Sequence, residues 1–464
     1  MSAGSHLYNI SPEFIQTLML NAYALTIHSE RYGSKFKDVQ AELDKTQHFD
    51  LEEIYRYQES RLKNLIRHAY HTVPYYRESF DRIRLKPEDI KSKDDLYKVP
   101  VLTRDDVREN LHKLLSADYK KKDLVLGHTS GTTGSPLEFY WDINTCVYTN
   151  GVDWRQKQWA GVKYGDSIAV LLGRMIVPAS STKPPFWRMN YLHNQLWLSS
   201  FHMTIDNLRH YLDKLIKFNP VAIEGYPSTV YILARYMVAN NFSLPLTAVF
   251  TSSETLYPIQ RETIEKAFNC KVFDFYGLAE RVIFATECEA HSGRHLNFEY
   301  GLTEIVDSAD HSVEDGKTGI VVSTSLQNFG MPFIRYKTSD VSRIVKNYCS
   351  CGRNMPLFDD VTTKAEDIVV TSDGRMISPS VLTHPFKPMH NIEKSQIIQE
   401  DIKQIVIKIV KRPDYSENDT QTLLTSFKER VGSDMDVRIE FVDDIPATKS
   451  GKFRWVISKV PLKV

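Results

Sequence analysis

The sequence predicts an α/β protein with a large N-terminal domain, in which helices cover sheets that contain parallel strands, and a small α+β domain at the C-terminal end. Three observations lead to this prediction. Strand and helix patterns alternate in the middle of the chain, the segment from residue 368 onward alternates apolar and polar positions, and 464 residues are too many for one ordinary hydrophobic core. The predicted boundaries are 1–362 for the large domain, 363–367 for the connection and 368–464 for the small domain.

The first part of the large domain, residues 1 to about 100, is predicted to consist of helices and loops. Phe14, Leu18, Ala22 and Leu25 recur at the spacing of one helix face. We expect this apolar stripe to pack on its own domain. The alternative is an exposed surface that meets a partner or a membrane.

The middle of the chain carries the clearest alternation of strands and helices. Short apolar runs predict three strands, and the segments between them have a proline in their first turn, which is typical of helix starts. The strands are Val221–Glu224, Thr247–Thr251 and Val272–Phe275, and the helices begin at Pro227 and Pro258. The order β-α-β-α-β indicates parallel strands with covering helices. Residues 303–307 and 319–323 predict a later β-rich part.

The small domain has a different pattern. Residues 402–410 and 436–442 alternate in polarity like half-buried strands, and residues 418–431 have the pattern of a helix between them. These segments predict a compact α+β unit.

Composition excludes several classes of protein. Hydrophobic residues make up 42% and charged residues 25% of the chain, and 58 Lys and Arg balance 58 Asp and Glu. This balance leaves no net charge that would attract nucleic acid or acidic lipid. No run is long and apolar enough for a membrane span, and the N-terminus lacks the pattern of a signal peptide. We therefore expect a cytoplasmic protein with no transmembrane segment and no nucleic-acid partner.

Three of the five cysteines are clustered in a way that indicates a metal rather than disulfides. They form two short-spaced pairs, Cys288-x₂-His291 and Cys349-x-Cys351. Three thiolates and one imidazole make a closed tetrahedral Zn²⁺ site, which is typical of structural zinc. We predict Zn²⁺ at these four residues, with His295 as the rival nitrogen ligand. The alternative is three unrelated thiols.

The segment Thr129-Ser-Gly-Thr-Thr-Gly-Ser-Pro136 follows an apolar run and mixes two glycines with hydroxylated residues. Glycines let backbone amides approach an anion closely, and hydroxyl groups add hydrogen-bond donors. The segment therefore fits a phosphate-binding loop, although many loops of this composition are ordinary turns. It is not a Walker loop, because no Gly-Lys-Ser/Thr follows.

Three further motifs follow this loop in order. They are Tyr276-Gly-Leu-Ala-Glu280, Tyr336-Lys-Thr-Ser-Asp340 and Pro446-Ala-Thr-Lys-Ser-Gly-Lys452. Together the four segments resemble the core motifs of the adenylate-forming superfamily, the acyl-CoA synthetases and their relatives. Within it the chain is most similar to the branch of phenylacetate–CoA ligases and CapK-like capsule-biosynthesis proteins. The segments that carry this narrower likeness are His71–Tyr76, Gly225–Ser228, Thr251–Glu254 and Cys351–Arg353.

The resemblance implies an AMP-forming ligase that uses ATP and Mg²⁺ to convert an organic acid into an acyl-adenylate, with release of pyrophosphate. It implies that Glu280 is a catalytic residue that binds Mg²⁺ and that Lys452 stabilises charge at the α-phosphate. Asp340 would accept hydrogen bonds from the ribose. The implied nucleotide-binding residues are Thr129, Ser130, Gly131, Thr132, Thr133, Gly134, Ser253, Glu254, Tyr276, Gly277, Asp340 and Lys364.

Three positions depart from the wider superfamily, and one of them is Ser339, which precedes Asp340 where glycine or arginine is commoner. Leu137 follows the proline of the loop, where a lysine is usual, and Lys364 takes the place of an arginine that reaches the nucleotide. Arginine and lysine are not interchangeable at such sites. The resemblance implies a mobile small domain that turns about residues 363–367. The departures leave this hinge and the second step more open than adenylation.

The resemblance places the acyl pocket at Gly225, Tyr226, Pro227, Ser228 and Tyr276. Aromatic residues nearby would suit an apolar or aryl acid, although we expect half of them to be core. They are Phe250, Phe273, Phe275 and Tyr276.

Three functions stay open after this step. The acyl group passes either to CoA or to an amine, such as an amino sugar of a surface polysaccharide. A non-catalytic scaffold that kept the fold is the third alternative, which the intact Glu280, Asp340 and Lys452 disfavour. The identity of the acid also stays open. So does the oligomeric state, for which a homo-oligomer is one alternative.

Overall fold

A computed structural model describes most of the chain. The described residues are 3–129, 137–178, 180–346, 348–361, 368–377, 379–386, 388–389, 391–445 and 454–460. No helix among them is long and apolar enough to cross a membrane.

The N-terminal part folds into helices, as predicted. They are α1 (Ala3–Ile10), α2 (Glu13–Arg31), α3 (Phe36–Thr46), α4 (Leu51–Thr72), α5 (Pro74–Arg82) and α6 (Arg104–Glu109), with 3₁₀ turns at Pro87–Asp89 and Lys93–Lys98. Capping residues mark the starts of several of these helices. Asp50 caps α4, because its carboxylate accepts a hydrogen bond from the Glu53 amide at 2.8 Å. In return, the Glu53 side chain accepts a hydrogen bond from the Asp50 amide.

The apolar stripe of α2 does not pack on the domain, so this prediction is wrong. Phe14, Leu18 and Leu25 are 70%, 66% and 61% exposed. The opposite face of the helix is the buried one, through Leu20 and Ala24. Helix α2 has apolar residues on two faces, and their spacing does not show which face packs against the core.

Fifteen described strands and four further helices follow, up to residue 361. The strands are β1 (Val125–His128), β2 (Glu138–Trp141), β3 (Ile168–Leu171), β4 (Trp187–Asn190), β5 (Gln195–Leu198), β6 (Ala222–Gly225), β7 (Ala248–Ser252), β8 (Lys271–Gly277), β9 (Phe284–Glu287), β10 (Arg294–Leu296), β11 (Gly301–Val306), β12 (Gly319–Ser325), β13 (Tyr336–Ser342), β14 (Ile344–Val345) and β15 (Leu357–Phe358). The helices are α7 (Ile143–Trp159), α8 (Ile205–Phe218), α9 (Pro227–Ala239) and α10 (Pro258–Phe268), and a 3₁₀ turn spans Lys121–Asp123.

The largest sheet has ten strands in the order β14-β15-β10-β9-β8-β7-β6-β3-β5-β4. Strands β5, β3, β6, β7 and β8 are parallel to their neighbours, whereas β4 and β9 flank them in the antiparallel sense. The predicted β-α-β-α-β stretch is confirmed as β6-α9-β7-α10-β8. Its helices bury Val230, Leu233 and Ile264 against the sheet.

A smaller antiparallel sheet, β11-β12-β13, lies beside the ten-stranded one. Its last strand also pairs with the segment before α6, because the Leu102 amide donates to the Arg335 carbonyl and the Lys337 amide donates to the Leu102 carbonyl, both at 2.9 Å. This pairing brings the start of α6 next to Tyr336. Strands β1 and β2 form a separate hairpin.

The C-terminal region is the predicted α+β unit. Its elements are β16 (Val369–Val370), β17 (Met376–Ile377), β18 (Ile392–Asp401), β19 (Gln404–Lys411), β20 (Asp436–Phe441) and β21 (Val456–Ser458), helices α11 (Pro379–Leu382) and α12 (Glu417–Val431), and a 3₁₀ turn at His384–Phe386. The sheet order is β20-β19-β18-β21. Trp455 is fully buried in its core, where the indole N–H donates to Ser395 Oγ at 3.0 Å.

A buried ion pair joins α7 to the segment before β11, and the same arginine contacts α3. Arg155 of α7 and Glu299 are 3% and 0% exposed and form two hydrogen bonds, at 2.7 and 3.0 Å. The same guanidinium donates to the carbonyl of Leu43 in α3 at 3.2 Å. Because both charges lie in the core, removing one leaves the other without compensation.

We expect Arg155→Ala to lower the free energy of unfolding by about 3–5 kcal/mol, measured by urea denaturation. The matched control is Arg56→Ala, which breaks an ion pair with Glu52 whose side chains are 74% and 72% exposed. This control should change the stability by less than about 1 kcal/mol. Equal losses in the two variants would contradict the role assigned to the buried pair.

Candidate active site

A cavity of about 880 Å³ opens at the carboxyl ends of β6, β7 and β8. Loops after neighbouring parallel strands meet at one edge of a sheet, where α/β proteins bind ligands. The wall includes predicted site residues from all three strand ends, and the C-terminal region closes part of it. These residues are Tyr226, Ser228, Ser253, Glu254, Tyr276, Gly277 and Glu280, with Pro379, Thr383 and His384 from the C-terminal region.

Glu280 lies in this wall and is only 8% exposed. The hydroxyl of Tyr336 donates a hydrogen bond to Glu280 Oε1 at 2.8 Å. Burial raises the pKa of Glu280, whereas the guanidinium of Arg104 and the Tyr336 hydrogen bond oppose that rise. A buried carboxylate that lines the cavity and is held in one orientation is suited to bind a hard cation such as Mg²⁺.

Asp340 lies on β13 and faces the same cavity. Tyr276, at the end of β8, donates its hydroxyl hydrogen to Asp340 Oδ2 at 2.7 Å. The ring of Tyr276 stacks on Phe358 with centroids 5.6 Å apart, so that the tyrosine is fixed on both sides. A carboxylate oriented in this way is suited to accept hydrogen bonds from vicinal hydroxyls.

Three residues around the cavity have left-handed backbone conformations that non-glycine residues seldom adopt. Ser253, Arg281 and Arg335 have φ angles of 70°, 56° and 54°. Each adjoins or belongs to the wall, since Arg281 follows Glu280 and Arg335 precedes Tyr336. Such strain costs on the order of 1–3 kcal/mol per residue and is concentrated at functional sites.

The two ends of the predicted phosphate loop are joined to each other. The amide of Thr129 donates to the carbonyl of Leu137 at 3.0 Å, and the amide of Leu137 donates to Thr129 Oγ1 at 2.9 Å. Arg104 Nη2 also donates to Thr129 Oγ1, at 2.8 Å. Thr129 therefore anchors the loop at the cavity wall.

Several predicted residues lie outside the described part of the chain. They are Ser130, Gly131, Thr132, Thr133 and Gly134 of the loop, Lys364 of the connection and the predicted catalytic Lys452. Their roles stay predictions.

Four of the five predicted acyl-pocket residues lie where β6 meets α9, and the fifth, Tyr276, lies at the end of β8. Tyr226 and Ser228 line the cavity, and the Ser228 amide donates to Glu254 Oε2 at 3.0 Å. Gly225 is needed for packing, because a Cβ there would lie 2.7 Å from Val230 Cγ2. Pro227 is buried in the first turn of α9 and is not part of the described wall.

Of the four aromatic residues considered for the acid, Phe275 and Tyr276 line the cavity, whereas Phe250 and Phe273 belong to the core. The wall also contains a charged group that the sequence did not suggest. Asp274 accepts hydrogen bonds from Arg294 at 2.7 Å and from the Thr251 hydroxyl at 2.7 Å. The cavity is thus partly polar at the side of Phe275.

Cys288, His295, Cys349 and Cys351 form a compact cluster away from this cavity. Their ligand atoms all lie within 4.8 Å of one another. Cys351 Sγ is 3.3 Å from His295 Nε2, while Nδ1 of the same ring faces the carbonyl of Met355 at 3.3 Å. Burial lowers the pKa of His295 to about 4, so that the ring is neutral. A neutral imidazole oriented by a backbone carbonyl, together with three thiols, fits a tetrahedral Zn²⁺ site.

The structure brings His295, the rival nitrogen ligand, and not His291, to the three cysteines. His291 lies in the turn between β9 and β10 with φ 48°, and its Nδ1 is 3.4 Å from Glu287 Oε2. His295 lies on β10, opposite Leu357 of β15, which brings it beside Cys351. Strand pairing, which sequence spacing does not show, therefore selects the histidine.

Comparisons with known proteins agree with this architecture. Residues 369–459 match the CapK C-terminal domain family. Protein CapK of Staphylococcus aureus is 27% identical over 98% of this chain and 99% of its own length. The phenylacetate-coenzyme A ligase of Aromatoleum evansii is 27% identical over 69% of this chain and 72% of its own.

The chain is thus similar to CapK over nearly its whole length and to phenylacetate-coenzyme A ligases over about two thirds of it. Among solved structures, 2-hydroxyisobutyryl-CoA ligase with 2-HIB-AMP and CoA shares the fold, with a TM-score of 0.57 at 19% identity over 89% of this chain and 91% of that one. The resemblance to the CapK and phenylacetate–CoA ligase branch is confirmed. The relatives include CoA ligases, which are AMP-forming enzymes, and this agrees with an adenylate-forming ligase.

The sequence motifs do not indicate two further side chains that line this cavity and contact its predicted site residues. Tyr336 was seen only as the start of the motif that ends in Asp340, although its hydroxyl holds Glu280. Arg104 lies in a short charged segment that carries no recognisable motif. Both positions depend on the pairing of Leu102 with β13, which connects segments more than two hundred residues apart.

Tyr336→Phe tests the link between this hydrogen bond and the titration of Glu280. Without the donated hydrogen bond the charged carboxylate is less stable, so the pKa of Glu280 should rise further. If the ionised form is needed, the acidic limb of the pH profile for ATP–pyrophosphate exchange moves to higher pH. The control is Tyr300→Phe, which removes a buried hydroxyl bonded to Thr149 outside the cavity. A limb that is unchanged in Tyr336→Phe would contradict the assignment.

Proposed function

We propose that this ligase activates a carboxylic acid with ATP and Mg²⁺, forms an acyl-adenylate with release of pyrophosphate, and passes the acyl group to CoA. The pair of tyrosine-bound carboxylates, Glu280 and Asp340, in one cavity at the sheet edge carries the proposal. One carboxylate suits a cation and the other suits a ribose. Nucleotide binding needs both at once.

The first step would use residues from both parts of the chain. Mg²⁺, when bound at Glu280, neutralises part of the triphosphate charge. Asp340 accepts hydrogen bonds from the ribose, and the loop that begins at Thr129 donates backbone and hydroxyl hydrogens to the phosphates. Lys452 stabilises the charge that develops as the carboxylate attacks the α-phosphate, an effect on the order of 10²–10³ in rate for one donor.

The acid would bind between the β6–α9 turn and the end of β8. Ser228 is 4% exposed, and its Oγ has no hydrogen-bond partner among the described residues. A buried hydroxyl without a partner costs stability unless a ligand supplies one. With Asp274 and Arg294 nearby, this favours an acid that carries a polar group in addition to an apolar or aryl part.

CoA is the acceptor that the relatives' names favour, since several are called CoA ligases. An amine acceptor is the other candidate, because the relative that matches almost the whole chain is CapK. In either case the acceptor must reach the carbonyl carbon that Lys452 approaches in the first step. We propose that the small domain turns about residues 363–367 between the two steps.

Acid-dependent exchange of labelled pyrophosphate into ATP, across a panel of carboxylic acids, tests the first step. The wild-type enzyme should show exchange with at least one acid, and adding CoA should then give AMP and an acyl thioester. Lys452→Ala should lower the exchange rate by about 10²–10³-fold while ATP still binds. Glu280→Gln keeps the size of the side chain and should raise the Mg²⁺ concentration needed for exchange.

The outcomes separate the alternatives. If product forms with amines and not with CoA, the acceptor is an amine, and the proposed adenylation step stands. A wild-type rate of pyrophosphate exchange in Lys452→Ala would contradict the role proposed for this lysine. No binding of ATP by the wild-type protein would favour the scaffold alternative.

We also propose that Cys288, His295, Cys349 and Cys351 hold one structural Zn²⁺. All four coordination positions are filled by protein, so the metal has no open position for catalysis. The cluster ties the turn after β9 to the segment between β14 and β15, at one edge of the ten-stranded sheet.

Elemental analysis should find one zinc per chain, and His295→Ala should lose most of it. The matched control is His291→Ala, four residues away, which should keep the metal. A chelator should lower the thermal stability of the wild-type protein and of the control, but not that of His295→Ala. Zinc retained in His295→Ala and lost in His291→Ala would contradict this ligand set.

A further inference from the structure

The phosphates of ATP need positive charge, and the predicted phosphate loop supplies none. Residues 129–137 contain no lysine or arginine, because Leu137 stands where a lysine is usual. Lys452 is assigned to the α-phosphate in the proposed mechanism. The wall itself carries the carboxylates of Glu280 and Asp340. A triphosphate beside these groups requires a further cation near its β- and γ-phosphates, in addition to Mg²⁺.

Arg104, Arg294 and Lys337 are the lysine and arginine side chains in the described cavity wall. Arg294 is paired with Asp274 at 2.7 Å and Asp360 at 2.8 Å, and Lys337 is paired with Asp310. The guanidinium of Arg104 bonds the hydroxyl of Thr129, the first residue of the loop, and its charge also acts on the Glu280 carboxylate.

The backbone fixes the position of Arg104. Thr103 caps α6, because its hydroxyl accepts a hydrogen bond from the Asp106 amide at 3.1 Å. The Asp106 carboxylate in turn accepts a hydrogen bond from the Thr103 amide at 2.8 Å. Leu102, one residue earlier, is bonded to β13 on both sides of Tyr336. Arg104 is therefore held beside the loop and beside the tyrosine that binds Glu280.

Strand β13 gives the direction in which ATP would lie. Asp340, the proposed ribose ligand, is four residues along the strand from Tyr336, a distance of about 13 Å at about 3.3 Å per residue. A nucleotide with its ribose at Asp340 extends its phosphates toward Tyr336 and Glu280. Arg104 lies at that end, with Thr129.

We propose that Arg104 binds the β- and γ-phosphates of ATP, and the pyrophosphate that leaves after adenylation, in place of the lysine that the loop lacks. This inference rests on the proposed function. A guanidinium presents two parallel N–H donors to phosphate oxygens, which a hydroxyl or an amide side chain does not replace.

The test compares three variants by calorimetric binding of ATP, AMP and pyrophosphate in the presence of Mg²⁺. Arg104→Gln keeps an N–H donor for Thr129 but removes the charge, and Arg104→Lys keeps the charge. Arg108→Gln is the matched control, because Arg108 is one turn further along α6, is paired with Asp105 and is not in the described wall. Arg104→Gln should weaken ATP and pyrophosphate binding by about 10- to 100-fold and leave AMP binding unchanged.

Each outcome bears on the inference. Arg104→Lys should recover part of the affinity for pyrophosphate, and Arg108→Gln should bind all three compounds like the wild type. Unchanged ATP and pyrophosphate affinity in Arg104→Gln, with active wild-type enzyme, would overturn the role of Arg104 alone. An equal loss of AMP affinity would show a structural role and overturn it as well. A wild-type protein that binds no ATP would overturn both this inference and the proposed function.

Discussion

Two reciprocal tyrosine–carboxylate hydrogen bonds join the end of β8 to β13, and the geometry of the candidate site depends on them. Tyr276 of β8 binds Asp340 of β13, and Tyr336 of β13 binds Glu280, which follows β8. The strands belong to different sheets, so each hydrogen bond joins one sheet to the other. Hydrogen bonds to charged groups contribute about 1.5–3 kcal/mol, and leaving a buried carboxylate without one is costly. These contacts between the two sheets therefore also orient both of the carboxylates that we propose bind the nucleotide.

The edge of the ten-stranded sheet extends this arrangement. On β10, neighbouring residues point to opposite faces, so that His295 joins the three cysteines while Arg294 reaches Asp274 and Asp360 in the cavity wall. A metal that fixes β10 would also fix the position of Arg294. The cysteine cluster is thus connected to the cavity through one strand.

The sequence predicted those features that short segments determine. The stretch β6-α9-β7-α10-β8 followed from apolar runs and helix-opening prolines, and Glu280 and Asp340 followed from motifs. Features that depend on distant pairing were not predictable. His295 replaces His291 because β10 pairs with β15, and Arg104 and Tyr336 meet because Leu102 pairs with β13. The stripe of Phe14 and Leu18 was assigned to the core, although it is exposed, because spacing does not show which face of a helix is covered.

A crystal structure with Mg²⁺ and a non-hydrolysable ATP analogue tests the central claim most directly, because the claim is one of position along β13. The account predicts ribose hydroxyls within hydrogen-bond distance of Asp340, Mg²⁺ on Glu280, and the terminal phosphates beside Arg104 and Thr129. A nucleotide in the reverse direction, or one bound outside the cavity between β8 and β13, would contradict it.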